Sequence, residues 1–259
     1  MGSFNIDPGI FVSLLKKFCV AKTAKEKIIH VLTMHCHPKG IVVKQSDDSD
    51  TMGVLAGVSP AIFSLYPIKE KESVTFETTE IIKDVPKMFK KVTSIEFKWT
   101  DEKITISGGD TELDIPDVYA DEKSLLEEPK IVEGVDNKRV PIYGDEIVAQ
   151  FYIDATTTNK TLSVFSSKSI DFMEITCEGN LAVLNLEGKR KGIRKKMRVR
   201  PEVKERITTT LPIKYMMLSL SSLEGEILVT IDNQMYITLS ELTDKYYVHH
   251  ILMPVEVEG

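Results

Sequence analysis

Three groupings of side chains have the types and spacing for chemistry. His35-Cys36-His37 offers three metal-ligating groups in a row. On a strand, however, the two His face one way and Cys36 the other, and no second ligand pair follows at usable spacing, so a structural role is expected. His249-His250 diverge for the same reason. Asp47, Asp48 and Asp50 could face a divalent cation, but the segment lacks the glycine and distal glutamate of a calcium loop and reads as a solvated turn. The chain has no Gly-rich phosphate loop and no nucleophile elbow, and Gly108-Gly109 is a hairpin signal. The residues point to no enzyme, no metal and no cofactor; a β-rich hydrolase or nuclease stays as the alternative from another class.

The lysines are more informative. After Asp7, Pro8 opens a helix whose Ile10, Phe11, Leu14, Leu15, Phe18 and Cys19 share one half of the wheel, with Ser13, Lys16 and Lys17 on the other. From Thr79, Ile81, Ile82, Val85, Met88, Phe89 and Val92 form one arc, opposed by Lys83, Lys87, Lys90 and Lys91; Pro86 should kink this helix or delay its start past Asp84. A weaker stripe over Thr156–Lys168 holds Leu162 and Phe165 apart from Lys160. Leu211–Leu223 buries Ile213, Met216, Met217, Leu220 and Leu223, with Lys214 on the far side. A lysine face on one helix is ordinarily only solvated. Recurrence on several helices suggests point charges presented to phosphates without sequence readout.

Charge is unevenly spread over the 259 residues. Lys189 to Arg206 holds ten Lys or Arg against two Glu, and the remainder has 23 basic and 37 acidic residues, a net −14 against −6 for the whole chain. An acidic body that binds DNA must gather its other lysines on one surface. The run includes Lys189, Arg190, Lys191, Arg194, Lys195, Lys196, Arg198 and Arg200. With 42% hydrophobic and 28% charged residues, the composition suits a soluble globular protein of about two domains. No apolar run approaches the roughly 20 residues of a membrane helix, and residues 1–17 do not read as a secretory signal, so an intracellular, non-membrane protein is expected. Cys19, Cys36 and Cys177 are odd in number and widely spaced, which fits buried reduced thiols.

Most other segments alternate or are rich in Val, Ile, Thr and Tyr, from Ile28–His35 through Gly40–Lys44 and Gly53–Val58 to Tyr246–Leu252, joined by short polar turns. The fold class is therefore α+β with antiparallel sheet. In each half a helix is followed by strands, a second helix and three closing strands, an internal duplication. Between them Pro116–Pro141 carries seven acids, broken only by Leu125-Leu126, and reads as a linker. The expected division is domain 1 over 1–116, linker over 117–140 and domain 2 over 141–259.

Gly40-Ile41-Val42-Val43, the Asp/Ser loop Ser46–Thr51 and Pro60-Ala61-Ile62-Phe63-Ser64-Leu65-Tyr66 resemble the first domain of the DNA sliding-clamp family typified by proliferating cell nuclear antigen. Ile213-Lys214-Tyr215-Met216 is similar to the apolar-basic-Tyr-Leu segment of that family's last helix, and Leu252-Met253-Pro254 to its C-terminal Leu-Ala-Pro. The resemblance implies two similar clamp domains, each an antiparallel sheet with two helices on one face. It also implies a ring of like or unlike subunits, a trimer in the first instance, with helices lining a central hole. The implied function is a processivity factor that encircles duplex DNA and tethers DNA polymerase and other replication or repair enzymes. Carried over, the lining lysines are Lys16, Lys17, Lys83, Lys87, Lys90, Lys91 and Lys214, with Lys160 added from the third helical stretch. The partner groove lies at Leu125, Leu126, Leu252, Met253 and Pro254. A eukaryotic or viral source would place the protein in the nucleus, an archaeal one in the cytoplasm. Ser46 stands where the family often has Met, no Pro occurs near Gln234–Tyr236, and Lys189–Arg206 is far more basic than usual. Viral clamp-like processivity factors that act as monomers or dimers carry such basic loops, and they form the second alternative.

Overall fold

The computed structural model describes residues 2–116, 118–119, 128–166, 171–186 and 194–255. Contacts divide the chain into two units, Met1–Leu126 with Thr243–Val248, and Glu127–Leu242 with His249–Gly259.

The first unit runs β1 (Gly2–Ile6), α1 (Pro8–Phe18), β2 (Val31–His37), β3 (Gly40–Ser46), β4 (Met52–Val58), β5 (Glu72–Glu77), α2 (Thr79–Met88), β6 (Ile95–Trp99), β7 (Ile104–Gly108), β8 (Thr111–Ile115) and β9 (Val118–Tyr119). Its strands are hydrogen-bonded in the orders β1-β6-β7-β8 and β4-β3-β2-β5-β9, all described pairs within it antiparallel. α1 starts where Asp7 accepts the Ile10 N–H at 2.9 Å and Pro8, which has no N–H to lose, takes the first turn. Its buried residues meet β1 and β6 in an aromatic core: Phe4 stacks on Phe97 at 5.1 Å, with Phe11 at 5.2 Å and Phe76 at 5.6 Å from the same ring. Each such ring contributes roughly 2–3 kcal/mol by burial, which ties α1 to the sheets. α1 and α2 pack on each other.

Pro86 neither kinks α2 at its centre nor delays its start. The helix begins at Thr79 and Pro86 lies in its last turn, where the missing N–H costs one bond near an end that stops at Met88. Lys90 and Lys91 therefore lie in the turn after the helix. Gly108-Gly109 behaves as expected: Gly108 pairs with Thr111, and Gly109 takes φ 58° in the two-residue loop.

The second unit runs β10 (Lys130–Glu133), β11 (Arg139–Ile142), β12 (Ile147–Asp154), α3 (Ala155–Ser166), β13 (Phe172–Asn185), β14 (Arg194–Pro212), α4 (Ile213–Ser222), β15 (Glu226–Asp232), β16 (Ile237–Leu242) and β17 (Tyr246–Leu252); the residues of β17 up to Val248 group with the first unit. The order β12-β15-β16-β17 repeats β1-β6-β7-β8, and β13 pairs with β14 just before α4 as β2 pairs with β5 just before α2. The repeat extends to the ends. β9 bonds to β5 through Tyr119 and Thr75, and in the corresponding place Val255 N donates to Thr210 O on β14 at 2.9 Å. α3 and α4 pack on each other, as the first pair does.

Two stretches differ from the sequence reading. The acidic segment read as linker contains β9, β10, a 3-10 turn over Val135–Asn137 and the start of β11. The basic run is in large part a strand: β14 places Met197, Val199 and Val203 in the core and exposes Arg198, Arg200 and Lys204. Register shifts between Cys177 and Leu181 of β13 leave extra residues on the β14 side, which bends the hairpin.

Candidate nucleic-acid interface

The helices place most of the candidate lysines in solvent. On α2, Ile81, Ile82 and Val85 are buried while Lys83 and Lys87 project outward; Lys90 and Lys91 follow in the exposed turn. That face is not purely basic. Asp84 lies 3.1 Å from the Lys87 amine and 3.8 Å from that of Lys83, and such exposed pairs are weak enough to yield to phosphate. On α3 Lys160 is exposed and Leu162 buried. The segment is a helix from Ala155, started by Asp154, whose carboxylate accepts the Thr157 N–H at 2.6 Å. On α4 Lys214 is exposed opposite Ile213, Met216 and Leu220.

α1 corrects one assignment. Lys16 is half-buried, but Lys17 is only 1% exposed, and its amine lies 5.7 Å from the centroid of the Tyr246 ring. A charge held over an aromatic face inside the first unit is a packing element, so Lys17 does not belong to a solvated basic face. Wheel position alone could not separate the two lysines, because the element over Lys17 is supplied by residues more than 200 positions away. Lys22 and Lys25, exposed in the loop after α1, escaped the helix-wheel reading; the cluster of lysines in that loop was the available signal.

Of the basic run, Arg198 and Arg200 stand exposed on β14, whose backbone also includes Arg194, Lys195 and Lys196; Lys189, Arg190 and Lys191 lie outside the described residues. Leu125 and Leu126 lie outside them as well. At the C-terminal strand, Leu252 is 1% exposed and part of the core, so its side chain offers nothing to a partner; Met253 and Pro254 are half-buried and accessible.

The other groupings resolve into packing. His35 Nδ1 bonds to Ser73 Oγ at 2.9 Å, His37 Nδ1 accepts the Lys39 N–H at 3.2 Å, and Cys36 is buried on the opposite side. Among the described residues no group of three His, Cys, Asp or Glu could hold a metal, and no helix is long and apolar enough to cross a membrane. Asp47 organises its turn, accepting from Ser49, Thr51 and the Met52 N–H. Burial alone would raise its pKa, but these hydrogen bonds together hold it below the usual carboxylate value. All three cysteines are free and buried; desolvation pushes Cys19 up to about 11 and Cys36 and Cys177 up to about 12. Lys27, unremarked in the sequence, is buried against Thr78 at 3.1 Å and Thr79 at 2.6 Å, and desolvation lowers its pKa.

No protein-family model and no curated protein sequence matches the chain. Solved structures do. PCNA from A. fulgidus, determined with the C-terminal region of FEN-1 bound, superposes with TM-score 0.77 at 15% identity over 100% of both chains. PCNA from Entamoeba histolytica gives 0.74 at 13% identity over 98% of each chain. The PCNA2-PCNA3 complex from Sulfolobus tokodaii gives 0.71 at 13% identity over 97% of this chain and 98% of the other. At such identities the likeness is one of fold: the chain has the α+β sliding-clamp fold along its whole length, as the motif resemblance implied.

Proposed function

We propose that the chain is a non-catalytic sliding-clamp subunit that surrounds duplex DNA without reading its sequence and tethers DNA enzymes to it. The observation that carries this reading is the recurrence of solvent-facing lysines on the helix pairs of both repeats, on a chain that follows the clamp fold end to end. Lysine–phosphate attraction is nearly equal in every register, so it holds the duplex while letting it slide. Among the strands that end a sheet are β8 in the first unit and β13 in the second, and these two are proposed to pair between subunits. Pairing of unlike edges is a head-to-tail contact, which closes into a ring when the rotation permits; a trimer is the proposed form. The A. fulgidus protein binds the C-terminal region of FEN-1. By likeness, Met253 and Pro254 are proposed to contact partner enzymes here, together with the Leu125-Leu126 segment.

The basic arm of β14 favours a second reading, a clamp-like processivity factor acting as a monomer or dimer with this arm as its main grip. Reversal of Lys83, Lys87 and Lys214 to Glu separates the two. On the first reading it abolishes retention on DNA at moderate salt and flattens the salt dependence by roughly 0.9 for each phosphate no longer neutralised, whereas neutralising the whole run from Lys189 to Arg206 mainly lowers affinity. Unchanged retention in the helix-reversed protein defeats the first reading.

A further inference from the structure

A pocket of about 260 Å³ opens on the second unit, lined among others by Val135, Gln150, Tyr152, Arg198, Arg200 and Leu228. Arg200 is the cross-strand partner of Gln150, and Leu228 that of Tyr152, so these residues share one sheet face, while Ala149, Phe151 and Ile153 enter the core from the other. The walls are fixed before any ligand arrives. Gln150 accepts the Val135 N–H at 2.7 Å and donates to Thr230 at 2.8 Å, and the Tyr152 hydroxyl donates to Asp136 at 2.8 Å. Arg198 and Arg200, roughly 7 Å apart at alternate strand positions, are exposed and have no ion-pair partner among the described residues. Leu181, the cross-strand partner of Arg198, is 43% exposed on the same face.

We propose that this pocket binds an acidic peptide segment, a carboxylate between the guanidinium groups of Arg198 and Arg200 with an adjoining apolar side chain toward Leu181. A guanidinium fork matches a carboxylate in two parallel hydrogen bonds. The carboxylates of Asp136 and Glu226 act on Tyr152 beside the arginines. They disfavour a phosphate-lined duplex, which brings many charges, more than a peptide that brings one or two. The site lies outside the helix lysines and does not depend on whether the chain encloses DNA.

The test is a nuclear magnetic resonance titration of the full ¹⁵N-labelled chain with acetyl-Gly-Ser-Glu-Leu-Ser-Gly-amide. Saturable shifts are expected at Gln150, Tyr152, Arg198 and Arg200. Binding should weaken by roughly tenfold or more in R198A/R200A and with the peptide carrying Gln for Glu, the loss of a charge-assisted pair. R198K/R200K, which keeps charge without the fork, should fall between. The dispersion of each spectrum reports directly that the variants fold. Equal binding of the Glu and Gln peptides, or undiminished binding in R198A/R200A, overturns the proposal. So does a short DNA duplex that shifts the two arginines more strongly than the peptide, or a loss of self-association in R198A/R200A, which would give the pocket to a second copy of the chain.

Discussion

His249 makes the second unit acid-sensitive at a defined position. Its ring is 3% exposed, with Nδ1 2.8 Å from Ser240 Oγ, and burial followed by the charge of His250 lowers its pKa from 6.5 to about 3. In the unfolded chain it titrates near 6.5. Between these values the unfolded state binds a proton that the folded state refuses, so stability is intact above about pH 6.5 and is lost as pH falls toward about 3. At about pH 5, one and a half units below the unfolded value, the loss is about 2 kcal/mol at roughly 1.4 kcal/mol per unit. Urea unfolding at about pH 8 and about pH 5 should show this in the wild type. His249→Gln, which keeps a polar partner for Ser240 and cannot be protonated, should lose about 2 kcal/mol less over the same interval. Because His249 lies in β17, close before Met253 and Pro254, mild acid should also loosen that segment. Identical pH dependence in the two proteins would refute the burial of a neutral imidazole at this site.

Lys17→Glu should destabilise the first unit by about 3 kcal/mol, since it buries an acid over Tyr246, whereas Lys16→Glu should leave thermal unfolding nearly unchanged and weaken only DNA retention. Gly40→Ala should cost about 2 kcal/mol in urea unfolding: φ is 125°, and an added Cβ would fall 2.0 Å from Val58 O. Cys19, Cys36 and Cys177 should resist a thiol-specific disulfide reagent in the native protein and react on denaturation, because burial keeps all three protonated. Reaction of any of them at the native rate of a free thiol would contradict that burial.

What the sequence disclosed followed from periodicity. The α1 stripe with its Asp7-Pro8 start, the β7–β8 turn at Gly108-Gly109, and the apolar strand signals of β2 to β6 are local, and the structure has an element at each, with β2 starting at Val31 rather than Ile28. β14 was hidden because consecutive Lys and Arg at 194–196 and Pro201 interrupt the two-residue period that Met197, Val199 and Val203 carry. β1 begins at Gly2 and offers only Phe4 and Ile6 as buried positions, where β6 of the same length offers Ile95, Phe97 and Trp99, so β1 is specified by pairing with β6. Burial of Lys17 and Leu252 was illegible for another reason. A helix wheel or an alternation assigns a face, but whether that face is covered depends on segments distant in the chain, as Tyr246 is from Lys17. The arginine pocket likewise needs Val135, Tyr152 and Arg200 to meet through tertiary pairing, and only Arg200 belonged to a conspicuous motif.

Enclosure of DNA is tested most directly by topology. The purified protein should be loaded on nicked circular duplex and on the same molecule linearised, its mass followed by light scattering, and its retention measured by gel filtration at a salt concentration that removes simple electrostatic binders. The sliding-clamp reading predicts an assembly of several subunits that stays on the circle and runs off the linear form. Equal retention on both, or a monomer that leaves both at the same rate, would contradict it.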